Sequence, residues 1–240
     1  MRKGLILISI IVILGIAGVL IYQNLIKRGE EEILPKEKVS MPEKTLEGKK
    51  VAVIVAFKDF RDEEYFVPKE ILEGAGAEVK TASNEMGTAI GADGGEVEID
   101  LLVSDLNPAE FDDLQRKSSH NSIQSISSFD AIVFIGGPGC LENLDNENSY
   151  KIAKETVSQN KVLAAICVSS IILAKAGVLE DKEATVWSSV LDRGPVVILK
   201  ENGAIYQDKT VVTEGKIVTG NGPGASKESG EAILKVLTGD

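Results

Sequence analysis

Short, unbroken apolar runs recur along this chain, each followed by a turn of glycine or charged residues and then by a segment with helical spacing. Lys50–Phe57 (KVAVIVAF) has the length and β-branched content of a strand buried on both faces. Glu63–Gly74 repeats apolar residues at helical spacing and stops at Gly-Ala-Gly, and Glu78–Ala82 reads as a second strand. Strand, helix and strand in that order predict a parallel sheet covered by helices. Met86–Ile99, with four glycines, predicts a small hairpin, and Leu101–Ser104 a short strand. Asp130–Ile135 predicts a strand running directly into Gly136-Gly137-Pro138-Gly139. The amphipathic stretch Asn146–Gln159 predicts a helix. Val162–Ile166 predicts another fully buried strand, and Ser169–Ala176 a small-residue helix closed by Gly177. The tail alternates: Ala184–Trp187, Val196–Leu199, Ala204–Tyr206, Thr210–Thr213 and Lys216–Thr219 predict strands, with hairpin turns at Asn202-Gly203 and Glu214-Gly215. Gly222–Leu237 predicts a closing helix with Pro223 near its start.

Three segments stand outside this pattern. Gly4–Ile26 runs 23 residues without a charge, which is long enough to span a bilayer. Its exit, VLIYQNLIKR, offers no small-residue cleavage site and places Tyr22 as an interfacial aromatic. Residues 1–28 are therefore expected to be an uncleaved transmembrane anchor. Arg2 and Lys3 before the span, against Lys27 and Arg28 after it, give a slight bias towards an extracytoplasmic domain. Residues 29–47 are charged, Pro-punctuated and aperiodic, as expected of a linker. The folded domain is expected to span 48–240, interrupted by a polar, Ser-rich insert at about 108–129 read as a helix and exposed loop.

Charge narrows the partners. The net charge is −11, and removing the four basic residues of the first 28 leaves −15 for the rest. A domain this acidic offers no basic stripe to nucleic acid, and anionic lipid repels it. Two cysteines are too few for a disulfide scaffold, and a single histidine with no C-x-x-C or H-E-x-x-H spacing excludes a histidine-based metal site. No cofactor is expected.

Chemistry is concentrated at strand ends, where parallel sheets bind ligands. Cys167 follows the Val162–Ile166 run at a strand-to-helix corner, where free helix N–H groups and the positive dipole end favour a thiolate. A buried, inert cysteine fits the same position. The other two strand ends carry the acidic cluster Asp59, Asp62, Glu63 and Glu64, and the Gly136–Gly139 turn, whose backbone N–H groups suit an oxyanion. On position alone, Glu64 reads as a solvated carboxylate of a helix's first turn.

Taken together, VAVIVAFKDFRDEEYFVP, AIVFIGGPG, AAIC and TGNGPGASKESGEAILKVL resemble the ThiJ/PfpI superfamily, with its deglycase-like and intracellular-protease-like branches, over about Lys49–Thr238. The resemblance implies a flavodoxin-like α/β sandwich of the class I glutamine amidotransferase type, with a nucleophile elbow at Cys167. It implies that Glu64 is protonated and bonds the sulfur, lowering the thiol pKa, and that the N–H groups of Gly137 and Val168 hold an oxyanion. It also implies self-association.

The departures from the family pattern are specific. Protease-like members carry histidine where this chain has Val168, and other branches carry one about where Trp187 stands. His120 lies in the Ser-rich insert and reads as a solvated loop residue, so peptidase activity is doubtful: nothing supplies the proton for a leaving amine. Cys140, three residues after Gly137, reads either as a small turn-filling residue or as a redox partner for Cys167. The expected function is action of Cys167 and Glu64 on small reactive carbonyls. The alternatives are a redox-sensing or chaperone-like protein and a non-catalytic tethered domain.

Overall fold

The computed structural model describes residues 45–106 and 125–239. Chain contacts separate Met1–Met41 from Pro42–Asp240, and the described residues all belong to the second unit. The expected anchor, the linker up to residue 44 and residues 107–124 of the insert, His120 included, lie outside the described residues. Among the described residues no helix is long and apolar enough to cross a membrane.

In chain order the elements are β1 (Lys50–Val55), β2 (Lys58–Phe60), α1 (Asp62–Gly74), β3 (Glu78–Ser83), β4 (Thr88–Gly91), β5 (Glu96–Glu98) and β6 (Leu101–Leu102). After residues 107–124 follow β7 (Ala131–Phe134), α2 (Cys140–Leu144), α3 (Glu147–Ser158), β8 (Val162–Ile166), α4 (Ser170–Lys175) and β9 (Glu183–Ala184). The chain closes with α5 (Gly194–Glu201), β10 (Ile205–Tyr206), β11 (Val211–Glu214), β12 (Ile217–Gly220) and α6 (Ser226–Thr238).

Seven strands form one sheet in the order β11-β12-β8-β7-β1-β3-β6, parallel except for β11. Successive residues of a strand point to opposite faces, and the two resulting cores show it. Ala52 and Ile54 pack with Ile152 of α3, Leu173 of α4 and Leu199 of α5, whereas Val51, Val53 and Val55 pack with Leu72 of α1 and Ile233 of α6. This is the sandwich expected from the sequence. Helices α1 and α6 approach so closely that a Cβ at Gly230 would fall 2.8 Å from Ile71 Cδ1 and 3.0 Å from Pro68 Cα. The expected Met86–Ile99 hairpin is β4 and β5, paired antiparallel.

The tail departs from expectation. Val196–Leu199 is not a strand but lies inside α5, with Pro195 in the first helical turn. Val196 and Leu199, three apart, are buried while Val197 is 49% exposed, so the β-branched run is used with helical spacing. Asn202-Gly203 consequently ends that helix, with Gly203 at φ +81°, instead of turning a hairpin. Of the expected 184–187 strand only Ala184 is paired, where β9 (Glu183–Ala184) runs parallel with β10. Only Leu101–Leu102 of the expected 101–104 strand pairs, and the chain then enters a 3₁₀ turn, Val103–Leu106.

Two expected boundaries also move. Leu46, placed in the linker, is fully buried, and its N–H donates to Ala75 O at 2.9 Å. Ile126 and Phe129, placed at the end of the exposed insert, are core residues. There the Lys161 ammonium donates to the carbonyls of Ile126, Ser127 and Phe129.

Candidate functional site

The strands that lead into the three predicted turns are β8, β7 and β1, adjacent at the centre of the sheet. Parallel neighbours deliver their carboxyl ends to the same edge, so Cys167, the Gly136–Gly139 turn and the segment carrying Glu64 converge there.

Cys167 is the first residue after β8 and adopts φ +69°, a left-handed conformation costly for a residue with a Cβ. The surroundings hold it there. The Ser169 hydroxyl donates to Ile166 O at 2.7 Å or Phe134 O at 2.9 Å, and accepts from Ile166 N–H at 3.0 Å. One side chain thus braces the elbow and ties it to β7. Cys167 itself is 6% exposed.

Glu64 lies in the first turn of α1 and is completely buried. Its Oε2 accepts from Gly136 N–H at 3.0 Å, its carboxyl interacts with the Cys167 side chain, and Oε1 has no N–H or O–H partner. The first-turn solvated carboxylate suggested by position alone is therefore not what the fold builds. Gly136 makes the encounter possible. A Cβ there would fall 2.6 Å from Cys167 Cβ and 2.8 Å from Glu64 Oε2. Gly137, at φ +115°, is equally constrained: a Cβ would meet Arg61 N at 2.4 Å and Asp59 O at 2.5 Å.

Burial raises the Glu64 carboxyl from its ordinary 4.5 to about 7, against the lowering effects of Cys167, Gly136 N–H and Arg61. Burial and an ionised Glu64 push the Cys167 thiol up, opposed by hydrogen bonds from the N–H groups of Val168 and Gly137. The helix end and glycine turn thus act on the sulfur as expected, but burial outweighs them. The thiol is not depressed while Glu64 is charged. As pH rises the acid therefore gives up its proton before the thiol does.

A cavity of about 300 Å³ opens onto the sulfur, lined by Arg61, Gly137, Pro138, Cys167, Val168, Trp187 and Pro223. Trp187 packs against Gly222 at the position where some relatives were expected to carry histidine, and its backbone N–H donates to Cys167 O at 3.4 Å. Arg61, Ser169 and Pro223 were not singled out in the sequence. The signal for Arg61 was its place within D-F-R-D-E-E; nothing local to Ser169 distinguished it.

Cys140 is the first residue of α2 and fully buried. Both cysteines are free, and they belong to different hydrophobic cores, Cys140 with Phe134 and Ile171, Cys167 with Ile135 and Ile166. Burial pushes the Cys140 thiol up. Among the described residues no group of histidine, cysteine or carboxylate side chains has the arrangement of a metal site.

Comparison with known proteins agrees with this architecture. The profile of the DJ-1/PfpI family matches residues 49–114 and 118–236. An uncharacterized protein of Methanocaldococcus jannaschii is 34% identical over 195 residues, 80% of this chain and 84% of that protein. Deglycase PfpI of Pyrococcus furiosus is 29% identical over 172 residues, 72% of this chain and 90% of the relative. Among solved structures, a ThiJ/PfpI domain protein from Brachyspira murdochii superposes with a TM-score of 0.68 at 33% identity, covering 80% of this chain and 99% of the other. The chain belongs to the DJ-1/PfpI family.

Proposed function

We propose that this protein acts on small reactive carbonyl compounds, 2-oxoaldehydes or their adducts on protein, through Cys167. The Cys167 sulfur adds to the aldehyde carbon, forming an S–C bond as the carbonyl π pair moves onto oxygen. The N–H groups of Val168 and Gly137 face that developing oxyanion. Glu64 gives its proton to that oxygen and takes up the thiol proton in exchange, leaving a hemithioacetal. The observation that carries this reading is the buried Glu64 carboxyl held against Cys167 by Gly136. The name of the Pyrococcus furiosus relative, a deglycase, supports the substrate class.

The test is methylglyoxal consumption by the full-length chain. Cys167→Ala is expected to abolish it, Glu64→Gln to lower it by about a hundredfold as expected for loss of a positioned acid, and Cys140→Ser to leave it intact. Wild type that consumes methylglyoxal no faster than Cys167→Ala sinks the reading. Trp187, in place of a histidine above the sulfur, favours a second reading in which Cys167 is oxidised and sensed. Inert wild type whose Cys167 is nonetheless selectively oxidised by peroxide would favour it.

We further propose that residues 1–28 tether the domain to a membrane. The uncharged run Gly4–Ile26 supports this. Full-length chain that leaves the membrane fraction in alkaline carbonate would refute it.

A further inference from the structure

Among the described residues lining the Cys167 cavity, Arg61 alone carries a charge. Its backbone is fixed at both ends, with N–H donating to Gly136 O at 3.0 Å and its carbonyl accepting from Tyr65 N–H at 3.2 Å. The side chain is not fixed to the same degree. Nη1 contacts Asp93 at 3.1 Å, and no other hydrogen-bond partner of the guanidinium is found among the described residues. Asp93 is 62% exposed, and an ion pair so open to water contributes little. The remaining donors of the guanidinium fork are unused.

The neighbouring carboxylates do not fill that role. Asp62 is occupied by the backbone N–H groups of Asp93 (2.8 Å) and Gly95 (2.6 Å), Asp59 and Glu63 are exposed, and Glu64 is turned onto Cys167 and Gly136. The other cavity walls, Pro138, Val168, Trp187 and Pro223, are apolar and strengthen any charge pairing made between them.

We propose that Arg61 makes this cavity selective for carbonyl compounds that carry a carboxylate beside the reacting carbon, 2-oxo acids with an aldehyde such as glyoxylate, over neutral 2-oxoaldehydes. The guanidinium fork matches a carboxylate in shape and charge. It supplies a local attraction that a domain of net charge −15 otherwise denies an anion. The carboxylate is unchanged in the addition: the S–C bond forms at the aldehyde carbon and the oxygen takes its proton as before. This inference rests on the carbonyl reading for its substrate, but Arg61's selectivity is measurable without turnover.

The measurement is the rate of Cys167 alkylation in the full-length chain, followed by mass spectrometry, with iodoacetate and with iodoacetamide. Within each variant the ratio of the two rates reports attraction for a carboxylate. Arg61→Met is expected to lower the ratio about tenfold, the effect of one charge-assisted pair, and Arg61→Lys to lower it less. Asp93→Asn, an exposed change, is expected to raise it by releasing the guanidinium. A ratio unmoved in both Arg61→Met and Asp93→Asn overturns the inference even if methylglyoxal is consumed. If the ratio moves but neither glyoxylate nor methylglyoxal is consumed, anion selectivity stands and the carbonyl reading falls. Where both are consumed, Arg61→Met is expected to raise KM for glyoxylate and to leave its kcat nearly unchanged.

Discussion

A cysteine at φ +69°, a glutamate with no solvent contact and a glycine with no room for a methyl group meet at one edge of the sheet. Each is unfavourable alone, and together they place a buried acid against a thiol. Their coupling sets a pH profile. Below about 7 Glu64 keeps its proton; above it the ionised carboxylate, together with burial, pushes the Cys167 thiol up. Alkylation of Cys167 by iodoacetamide is therefore expected to set in above the ordinary thiol range in wild type. In Glu64→Gln, which removes the charge that opposes a thiolate, the rise should move to lower pH. An identical profile in the two proteins would uncouple Glu64 from the sulfur. Gly137→Ala combines the left-handed φ with contacts of 2.4 and 2.5 Å to backbone. It is expected to destabilise the fold by about 2–4 kcal/mol, measured by urea unfolding.

At the scale of elements, the central strands were legible because burial on both faces leaves no polar residue to interrupt them: β1, β7 and β8 contain only apolar residues apart from Lys50. Cys167, Glu64, Gly137 and Val168 were legible through the motifs around them, and the fold brings all four together. What was not legible depended on tertiary context. Val196–Leu199 has strand composition, yet the chain uses its 3-residue spacing, with Pro195 to start a helix and Gly203 to end it. Glu64 became a buried acid only because β7 carries Gly136 to it, a contact spanning 72 residues. Arg61 could not be read as a cavity residue before Trp187 and Pro223 were placed around it. Helices α1 and α6 make a further test, since α1 carries Glu64 and leans on Gly230. Gly230→Leu is expected to cost about 1–3 kcal/mol by overpacking and to slow Cys167 alkylation; unaltered stability would show that the helices part easily.

For the molecule as a whole, the buried acid makes stability depend on pH in an unusual direction. Between 4.5 and about 7 the folded chain keeps a proton on Glu64 that the unfolded chain has released. Stability from this group is therefore complete below the unfolded value and is lost as pH rises through about 7, a change of about 3 kcal/mol. A depressed carboxylate such as Asp130, held down against burial by the Lys50 N–H and then by Lys49, acts the opposite way. Subtracting the Glu64→Gln unfolding curve from that of wild type, pH by pH, isolates the Glu64 contribution, and a flat difference from pH 4.5 to 7.5 would refute it.

The Ser169 hydroxyl, bonded to the carbonyl at the end of β7 and to both backbone groups of Ile166, has one consequence beyond holding the elbow. It makes the posture of Cys167 conditional on two neighbouring strands being in register. If β7 and β8 begin to separate, the brace fails, Cys167 relaxes out of its left-handed angle, and Glu64 and the glycine N–H groups lose the sulfur together. The left-handed angle of Cys167 is thus a gauge of the sheet's integrity, lost at the first slip of its central strands, before the rest of the molecule has unfolded.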